Sequence, residues 1–250
     1  MTKILNKPPS NKPLAIFWLA FALIIVAIAC IRFEITGTAV GFLGMLVGAA
    51  VLALYFLVSL VVVIAALLRR KPVSGRRWTY LIVGAIPFAA VLLTVGVSGF
   101  RAPPIHDIST DLDNPPMFSL AKDDRGPGDH EISYDRDINA IAQENAYPDI
   151  QPLKTSLPPD QALDNARSLM TSLDWRVLGT DQAAGTVEGV YTSAIFGFED
   201  DIVVRVTPIN GGSRIDVRSA SRVGQGDLGA NARRIRDFLD AYREKFLQER

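Results

Sequence analysis

The chain has 250 residues, and its 26 Lys and Arg side chains are balanced by 26 Asp and Glu. The balance conceals two opposite halves. Residues 1–100 carry nine basic residues and one acid, a charge of +8, whereas residues 101–250 carry 17 basic residues and 25 acids, a charge of −8. The apolar first half excludes an uninterrupted soluble globule. A disulfide framework is excluded because Cys30 is the only cysteine, and the acidic second half argues against a nucleic-acid partner.

Three uncharged stretches in the first half predict membrane-spanning helices over about residues 14–31, 39–68 and 78–100. A helix needs about 20 apolar residues to cross the hydrocarbon layer of a bilayer, and each stretch is long enough. No acidic side chain lies inside a span, so the sequence offers no candidate for a proton relay or an ion site. Residues 1–100 are therefore predicted to form a membrane domain, with the lipid bilayer as its partner.

The orientation of this domain follows from the basic residues beside the spans. The N-terminal tail and the loop before the third span together hold eight Lys or Arg, whereas the other side holds only Arg32 and Arg101. The side richer in basic residues stays in the cytoplasm. We therefore expect a multi-pass protein with a cytoplasmic N-terminus and everything after residue 100 outside. In a Gram-negative bacterium, these places would be the inner membrane and the periplasm.

Two short motifs lie within the spans. Gly44 and Gly48, with Gly41 one turn earlier, form a stripe of small residues that lets another helix approach closely. Packing against a helix of the same chain is favoured over homodimerisation. The residues 27–30 resemble a lipobox, so that Cys30 is either a lipidation site or a free thiol in the membrane.

Residues 101–157 are predicted to form an extended, Pro- and Asp-rich segment of the outer domain, because its prolines exclude regular helix. Within it, residues 137–146 favour a short helix that directs Ile138 and Ile141 towards a core. Residues 158–250 have a regular pattern that predicts an α+β core. A helix with Leu163, Ala166, Met170 and Leu173 on one face comes first.

Four strands and a last helix complete the predicted core. The pair Asn210-Gly211 indicates a hairpin between the last two strands, and Asp227 is a suitable N-cap for the C-terminal helix. The expected fold is an antiparallel four-stranded sheet with both helices on one face. The other face would carry solvated ion pairs among Glu188, Arg205, Asp216 and Arg218. The predicted strands are Trp175–Leu178, Gly185–Thr192, Asp201–Pro208 and Ser213–Ser221.

The stretch from Gly224 to Gly229 matches the G-x-G-x-x-G pattern of dinucleotide-binding turns. However, no parallel strand follows the helix that it would open, so a tight turn is favoured and no cofactor is predicted. An anion at the start of that helix, near Arg218, Arg222 and Arg233, is the alternative.

His106 and His130 are the only histidines, and acids flank both. Together with these acids they could hold a metal ion, but their spacing matches no ligand motif, so no metal is predicted. No G-x-S-x-G nucleophile motif is present in the sequence.

Three stretches of the outer half, PIHDISTDLDNPPMF, GVYTSAIFGFEDDIVVRV and SRIDVRSASRVGQGDLGANARRIRDFL, resemble the domain-of-unknown-function 1499 family. The resemblance covers residues 101–246. It implies a shared fold and an exported or membrane-attached location, and it implies no reaction. The positions that match the family motifs are candidate binding residues: His106, Asp107, Asp111, Asp113, Asp201, Arg205, Arg218, Arg222, Asp227, Asn231 and Arg234.

These residues lead to one structural hypothesis and two functional ones. The His- and Asp-rich segment should lie against the polar sheet face and the arginines around Arg205, Arg218 and Arg222. Its charge pairs either tether the segment or line a groove for an envelope protein, a lipid headgroup or a glycan. The main functional hypothesis is a binding or assembly module. The alternative is an envelope hydrolase that uses His and Asp residues near His106.

Overall fold

The computed structural model describes residues 11–247. The chain divides into two compact units. One contains the described residues up to 94 together with residues 195–197, and the other contains residues 95–194 and the chain from 198 onwards.

The first unit is built from three long apolar helices. They are α1 (Lys12–Arg32), α2 (Thr38–Leu68) and α3 (Gly75–Gly99). Each is long and apolar enough to cross a membrane, which confirms the predicted number of candidate spans. Helix α3 contains Pro87 and is broken at Gly96, which has a φ of 68° and a ψ of 170°.

The glycine stripe of α2 packs against α1. A Cβ atom on Gly48 would lie 2.8 Å from the carbonyl oxygen of Ala20 and 2.6 Å from Ile24. Gly41 faces Ile31 in the same way. Only a residue without a side chain permits this approach, so the stripe serves contact between helices of one chain, as expected.

The second unit is an antiparallel sheet with helices. Its strands lie in the order β1-β6-β5-β4-β3. Strand β2 also pairs with β6, nearer to the start of β6 than β1 does. The elements are β1 (Asp107–Ser109), α4 (Leu120–Asp124), α5 (Arg136–Ala146), β2 (Leu153–Thr155), α6 (Pro159–Ser172), β3 (Arg176–Asp181), β4 (Thr186–Thr192), β5 (Glu199–Ile209), β6 (Gly212–Ser221) and α7 (Ala230–Phe246).

The mixed helix and sheet class is confirmed, but the prediction of four strands is wrong because the sheet has six. The two additional strands, β1 and β2, come from the Pro- and Asp-rich segment before residue 158. Each has only three residues. Three residues are too few to show an alternating pattern, so their position in the sheet depends on pairing with β6.

Helices α6 and α7 cover one face of the sheet. Ile202 and Val204 of β5 and Ile215 of β6 point into this core, as their alternation predicts. On the helix side, Phe238 of α7 stacks on Trp175, with ring centroids 5.5 Å apart. This core packs one face of the sheet against the two helices. The second face of the sheet is covered by other parts of the chain.

Helix α5 lies with its polar side inwards, so the expectation that Ile138 and Ile141 face a core is wrong. Those two side chains are 62% and 66% exposed, whereas Gln143 is buried. The Gln143 amide accepts a hydrogen bond from the Ser109 N–H (3.0 Å) and donates one to the Ser109 carbonyl (2.6 Å). The outer backbone groups of β1 need such partners, and an amide side chain supplies both a donor and an acceptor.

Helix α7 begins at Ala230, three residues later than expected. Leu228 and Gly229 have φ angles of 53° and 78°, which a right-handed helix cannot include. Asp227 still satisfies the helix start, because its carboxylate accepts hydrogen bonds from the N–H groups of Gly229 (2.8 Å) and Asn231 (2.7 Å).

Candidate functional site

Most of the candidate residues lie on the sheet face opposite α6 and α7, in what we term the charge layer. Its members on the sheet are Glu188, Asp201, Arg205, Asp216 and Arg218, and Arg222 follows directly after β6. The expectation that ion pairs on this face are solvated is wrong. Glu188, Asp216 and Arg218 are buried, because the chain between β1 and α5 covers them.

The centre of the charge layer is Arg218, which is fully buried. Its guanidinium binds the Asp107 carboxylate through two parallel hydrogen bonds of 2.9 and 2.7 Å. Two more go to the carbonyl oxygens of Pro116 (3.1 Å) and Ile132 (2.9 Å). Bidentate geometry and these four hydrogen bonds, from a group with five N–H donors, are what permit a buried arginine.

Aromatic rings enclose the same guanidinium. The Arg218 Cζ atom lies 4.8 Å from the ring centre of Phe118 and 5.2 Å from that of Tyr134. Burial, with a smaller effect of Asp107, raises the pKa of the Tyr134 hydroxyl. Arg218 therefore holds the segment that follows β1 against the sheet through both charge and packing.

A second cluster lies near the end of β1. Asp216 is buried and binds Arg205 (3.1 Å) and Arg214 (2.9 Å). The same two arginines also bind Asp111, at 3.2 and 2.8 Å. Asp111 in turn accepts hydrogen bonds from the N–H groups that follow it, at Asp113 and Asn114. The cluster fixes the turn after β1 onto β5 and β6.

A third cluster lies at the other end of the face. Asp201 is buried and binds Arg222 (2.7 Å) and Arg125 (2.7 Å). Arg222 also binds Glu199 and Asp124, each at 2.6 Å. Hydrogen bonds from Arg176 and Arg222 hold the pKa of the Asp124 carboxyl well below its usual range. This cluster anchors the end of α4 to the sheet.

Glu188 is a buried acid whose hydrogen-bond partners are uncharged. Its Oε1 accepts hydrogen bonds from the Ser119 N–H (2.8 Å), the Ser119 hydroxyl (2.6 Å) and the Leu120 N–H (3.1 Å). Its Oε2 accepts one from the Ala121 N–H (2.9 Å). The carboxylate thus satisfies the unpaired amides that begin α4.

Three candidate residues lie on the opposite face, with Asn231 and Arg234 on α7 and Asp227 just before it. Arg234 binds Asp200 (2.5 Å) and stacks over Tyr191, with its Cζ 4.2 Å from the ring centre. Asn231 is buried and donates hydrogen bonds to the His106 carbonyl (3.0 Å) and the Ser221 hydroxyl (2.9 Å). Burial raises the pKa of the Asp227 carboxyl, and its bonds to backbone N–H groups oppose that change.

The candidate residues therefore form several structural clusters instead of one site. Asp113 lies apart from them, in an exposed ion pair with Arg136 (2.5 Å). His106 lies beside His130, with ring centroids 4.2 Å apart. In the part of the chain from residue 11 to 247, no group of three His, Cys, Asp or Glu side chains is arranged to hold a metal.

Several participants were missing from the sequence prediction. Arg125, Arg214 and Asp200 each complete an ion pair, and Tyr134 and Gln143 position the segment. The alternation of β6 places Arg214 on the same face as Asp216, but Arg214 was not among the candidate binding residues. The residues in irregular loops carry no such periodic signal.

The glycine-rich stretch is a tight turn, as predicted. Gly224 has a φ of 94°, and a Cβ on Gly226 would lie 3.1 Å from the Cα of Pro104. All pairs of described strands are antiparallel, so the stretch lacks the parallel strand of a dinucleotide-binding unit. Arg218 and Arg222 are engaged by carboxylates, which argues against an anion site formed with them.

Comparison with known families identifies the class of protein. The family described as Protein of unknown function (DUF1499) matches residues 107–242, more than half of the chain. The chain belongs to this family. A search of curated proteins finds no match. The match includes the charge layer, helix α6 and most of α7, and it begins after the three apolar helices.

Proposed function

We propose that this protein is a membrane-anchored binding or assembly module whose C-terminal unit lies outside the cytoplasm. The proposal is supported mainly by the observation that the charged side chains of the charge layer are paired with one another and covered by the chain. Charged side chains that could have lined a groove instead bind one another and fix the segment after β1. They support a rigid scaffold, and a partner would bind at the surface of that scaffold.

The outer edge of β3 is the surface that we assign to the partner. The opposite edge of the sheet is covered, because β1 and β2 pair with β6 and Gln143 satisfies Ser109. Beside β3 lies a shallow groove of about 450 Å³. The Thr180 hydroxyl is buried there and has no hydrogen-bond partner among the described residues. The groove is lined by Ser119, Leu120, Gly179, Thr180, Asp181, Gln182, Thr186 and Glu188.

An extended peptide of an envelope protein suits this edge better than a lipid headgroup or a glycan. A peptide can pair with the backbone of an edge strand, and Leu120 supplies an apolar contact for a side chain. The groove contains acids but no Lys or Arg, which disfavours an anionic headgroup.

The edge assignment is tested by photocrosslinking in living cells. A photoreactive residue in place of Gln182, which lines the groove, should give a protein adduct. The same residue in place of the exposed Gln161 on α6 should give none. Adducts at both positions or at neither would contradict the assignment, and a lipid or glycan adduct at Gln182 would change the class of partner.

The hydrolase alternative has less support. The acid next to His106 is Asp107, which is bound by Arg218 through both oxygens. The cleft of about 420 Å³ in this region is lined by His130, Lys122, Arg125 and neighbouring loop residues, and His106 is not part of its lining. A deep pocket around His106 would have favoured catalysis.

The proposed location is the inner membrane of a Gram-negative envelope, with the N-terminus in the cytoplasm and the second unit in the periplasm. Three candidate spans and the excess of basic residues on one side support it. A reporter that is active only outside the cytoplasm, fused after Arg250, should be active. Activity of a cytoplasm-only reporter at the same position would refute the orientation.

A further inference from the structure

The fold brings together the only two histidines of the chain. His106 lies one residue before β1, and His130 lies in the loop between α4 and α5. Their rings are 4.2 Å apart between centroids and tilted by 49°. Since the two residues come from separate segments, the contact joins the loop to the start of β1.

Backbone hydrogen bonds fix both histidines at the end of β6. The His106 carbonyl accepts hydrogen bonds from the Ser221 N–H (2.8 Å) and the Asn231 amide. The His130 N–H donates to the Arg222 carbonyl (2.8 Å), and the His130 carbonyl accepts from Arg125 (2.5 Å). The rings therefore cannot separate unless the loop itself moves.

Charged groups from several elements surround the pair. Asp107 is bound by Arg218, and Asp227 accepts hydrogen bonds from two backbone N–H groups. On the loop side, Arg125 and Arg222 both bind Asp201. Lys122, Asp129 and Glu131 line the cleft beside His130.

The contact between the rings opposes a positive charge on both of them. One ring N–H of His106 bonds to the Gln225 backbone, which by itself favours a proton on that ring. The Nδ1 atom of His130 is buried and has no hydrogen-bond partner among the described residues. A proton on that atom would therefore have no acceptor. If both rings were protonated, their two positive charges would also lie in contact and repel each other.

We propose that the His106–His130 contact is a pH-sensitive latch, closed when the rings are neutral and opened when both are protonated. Opening would release the loop of residues 125–134. That loop supplies the Ile132 carbonyl and the Tyr134 ring that cover Arg218. The inference is independent of the partner at β3, but its physiological value rests on the proposed location, because an exported domain meets the pH of the surroundings.

The direction of the pH effect follows from the burial of His106. Burial, and then the charge of His130, lowers the pKa of His106 in the folded state, although Asp107, Asp227 and the hydrogen bond to the Gln225 backbone oppose the shift. The unfolded chain then binds more protons between the folded and unfolded values. The stabilisation is fully present above the ordinary histidine pKa of about 6.5 and is lost as the pH falls below it.

Hydrogen exchange of the full chain in detergent tests the latch. After correction for the intrinsic pH dependence of exchange, protection of residues 126–134 should be lower at pH 5.0 than at pH 7.5, because the lowered pKa of His106 links protonation to opening. The β3–β4 hairpin around residues 182–185 contains no histidine and should keep its protection. Equal protection of the loop at both pH values would overturn the proposal.

Two further measurements separate protonation from general acid sensitivity. A His130→Phe variant keeps an aromatic ring but cannot be protonated there, so its loop should stay protected at pH 5.0. If this variant does not fold, NMR titration of the wild-type chain decides, because only two histidine signals exist. At least one signal should titrate below the ordinary value, and two independent titrations near pH 6.5 would refute the latch.

Discussion

Replacing Arg218 with Met is expected to destabilise the C-terminal unit by about 3–5 kcal/mol, the cost of removing one partner from a buried ion pair. Arg218 is fully buried, and its loss would leave the Asp107 carboxylate without its bidentate partner. It would also leave the Pro116 and Ile132 carbonyls without a donor. Thermal unfolding of the full chain in detergent, read from protease resistance of the C-terminal unit, measures the effect.

The chain contains a matched control in Arg136→Met. Arg136 also binds an aspartate of the segment after β1, Asp113, but this pair is exposed. The Arg136 side chain is 63% exposed and that of Asp113 is 86% exposed. Exposed pairs contribute less than about 1 kcal/mol, so the control should unfold almost like the wild type. Similar unfolding temperatures for the two variants would show that Arg218 does not hold the segment.

The same measurement separates tethering from partner binding. Asp111 binds Arg205 and Arg214, and an Asp111→Asn variant should also lose stability if the charge layer tethers the segment. Unchanged stability with a lost crosslink at Gln182 would instead mean that these charges serve a partner. The closed geometry of the layer leads us to expect the first result.

The sequence predicts best those elements that have a long periodic pattern. The alternation of Ile202 and Val204 with Asp201 and Val203 correctly assigned the two faces of β5. The three apolar helices were found because hydropathy is a property of each segment by itself. In both cases the information is local and repeats over many residues.

The elements that the sequence did not reveal depend on distant partners. Strands β1 and β2 have three residues each and exist because β6 offers a free edge. Helix α5 was assigned the wrong face because apolar residues are usually buried, whereas here Gln143 is needed to satisfy Ser109. The polar sheet face was predicted from alternation, but its burial depends on a loop without periodicity.

The second large effect on stability is expected at Glu188, the buried acid whose hydrogen-bond partners are uncharged. Replacing Glu188 with Gln keeps the size of the side chain but puts an NH₂ group where one carboxylate oxygen accepted a hydrogen bond. If the amide oxygen keeps the three donors from Ser119 and Leu120, the NH₂ group faces the N–H of Ala121. The Ala121 N–H and the new NH₂ group are then two donors that face each other without an acceptor, and the remaining bonds lose the help of a negative charge.

We therefore expect Glu188→Gln to lower the free energy of unfolding by about 2–4 kcal/mol, since bonds to charged groups contribute about 1.5–3 kcal/mol each and partly compensate one another. Ser119→Ala is the matched control, because it removes one hydroxyl bond to the same carboxylate and leaves the charge and the three backbone bonds in place, so it should cost less than Glu188→Gln. Denaturant unfolding of both variants gives the comparison. Hydrogen exchange should place the loss of protection in α4, since Glu188 satisfies its first N–H groups. An equal effect of the two substitutions would mean that the Ser119 hydroxyl, and not the charge on Glu188, holds α4 on the sheet.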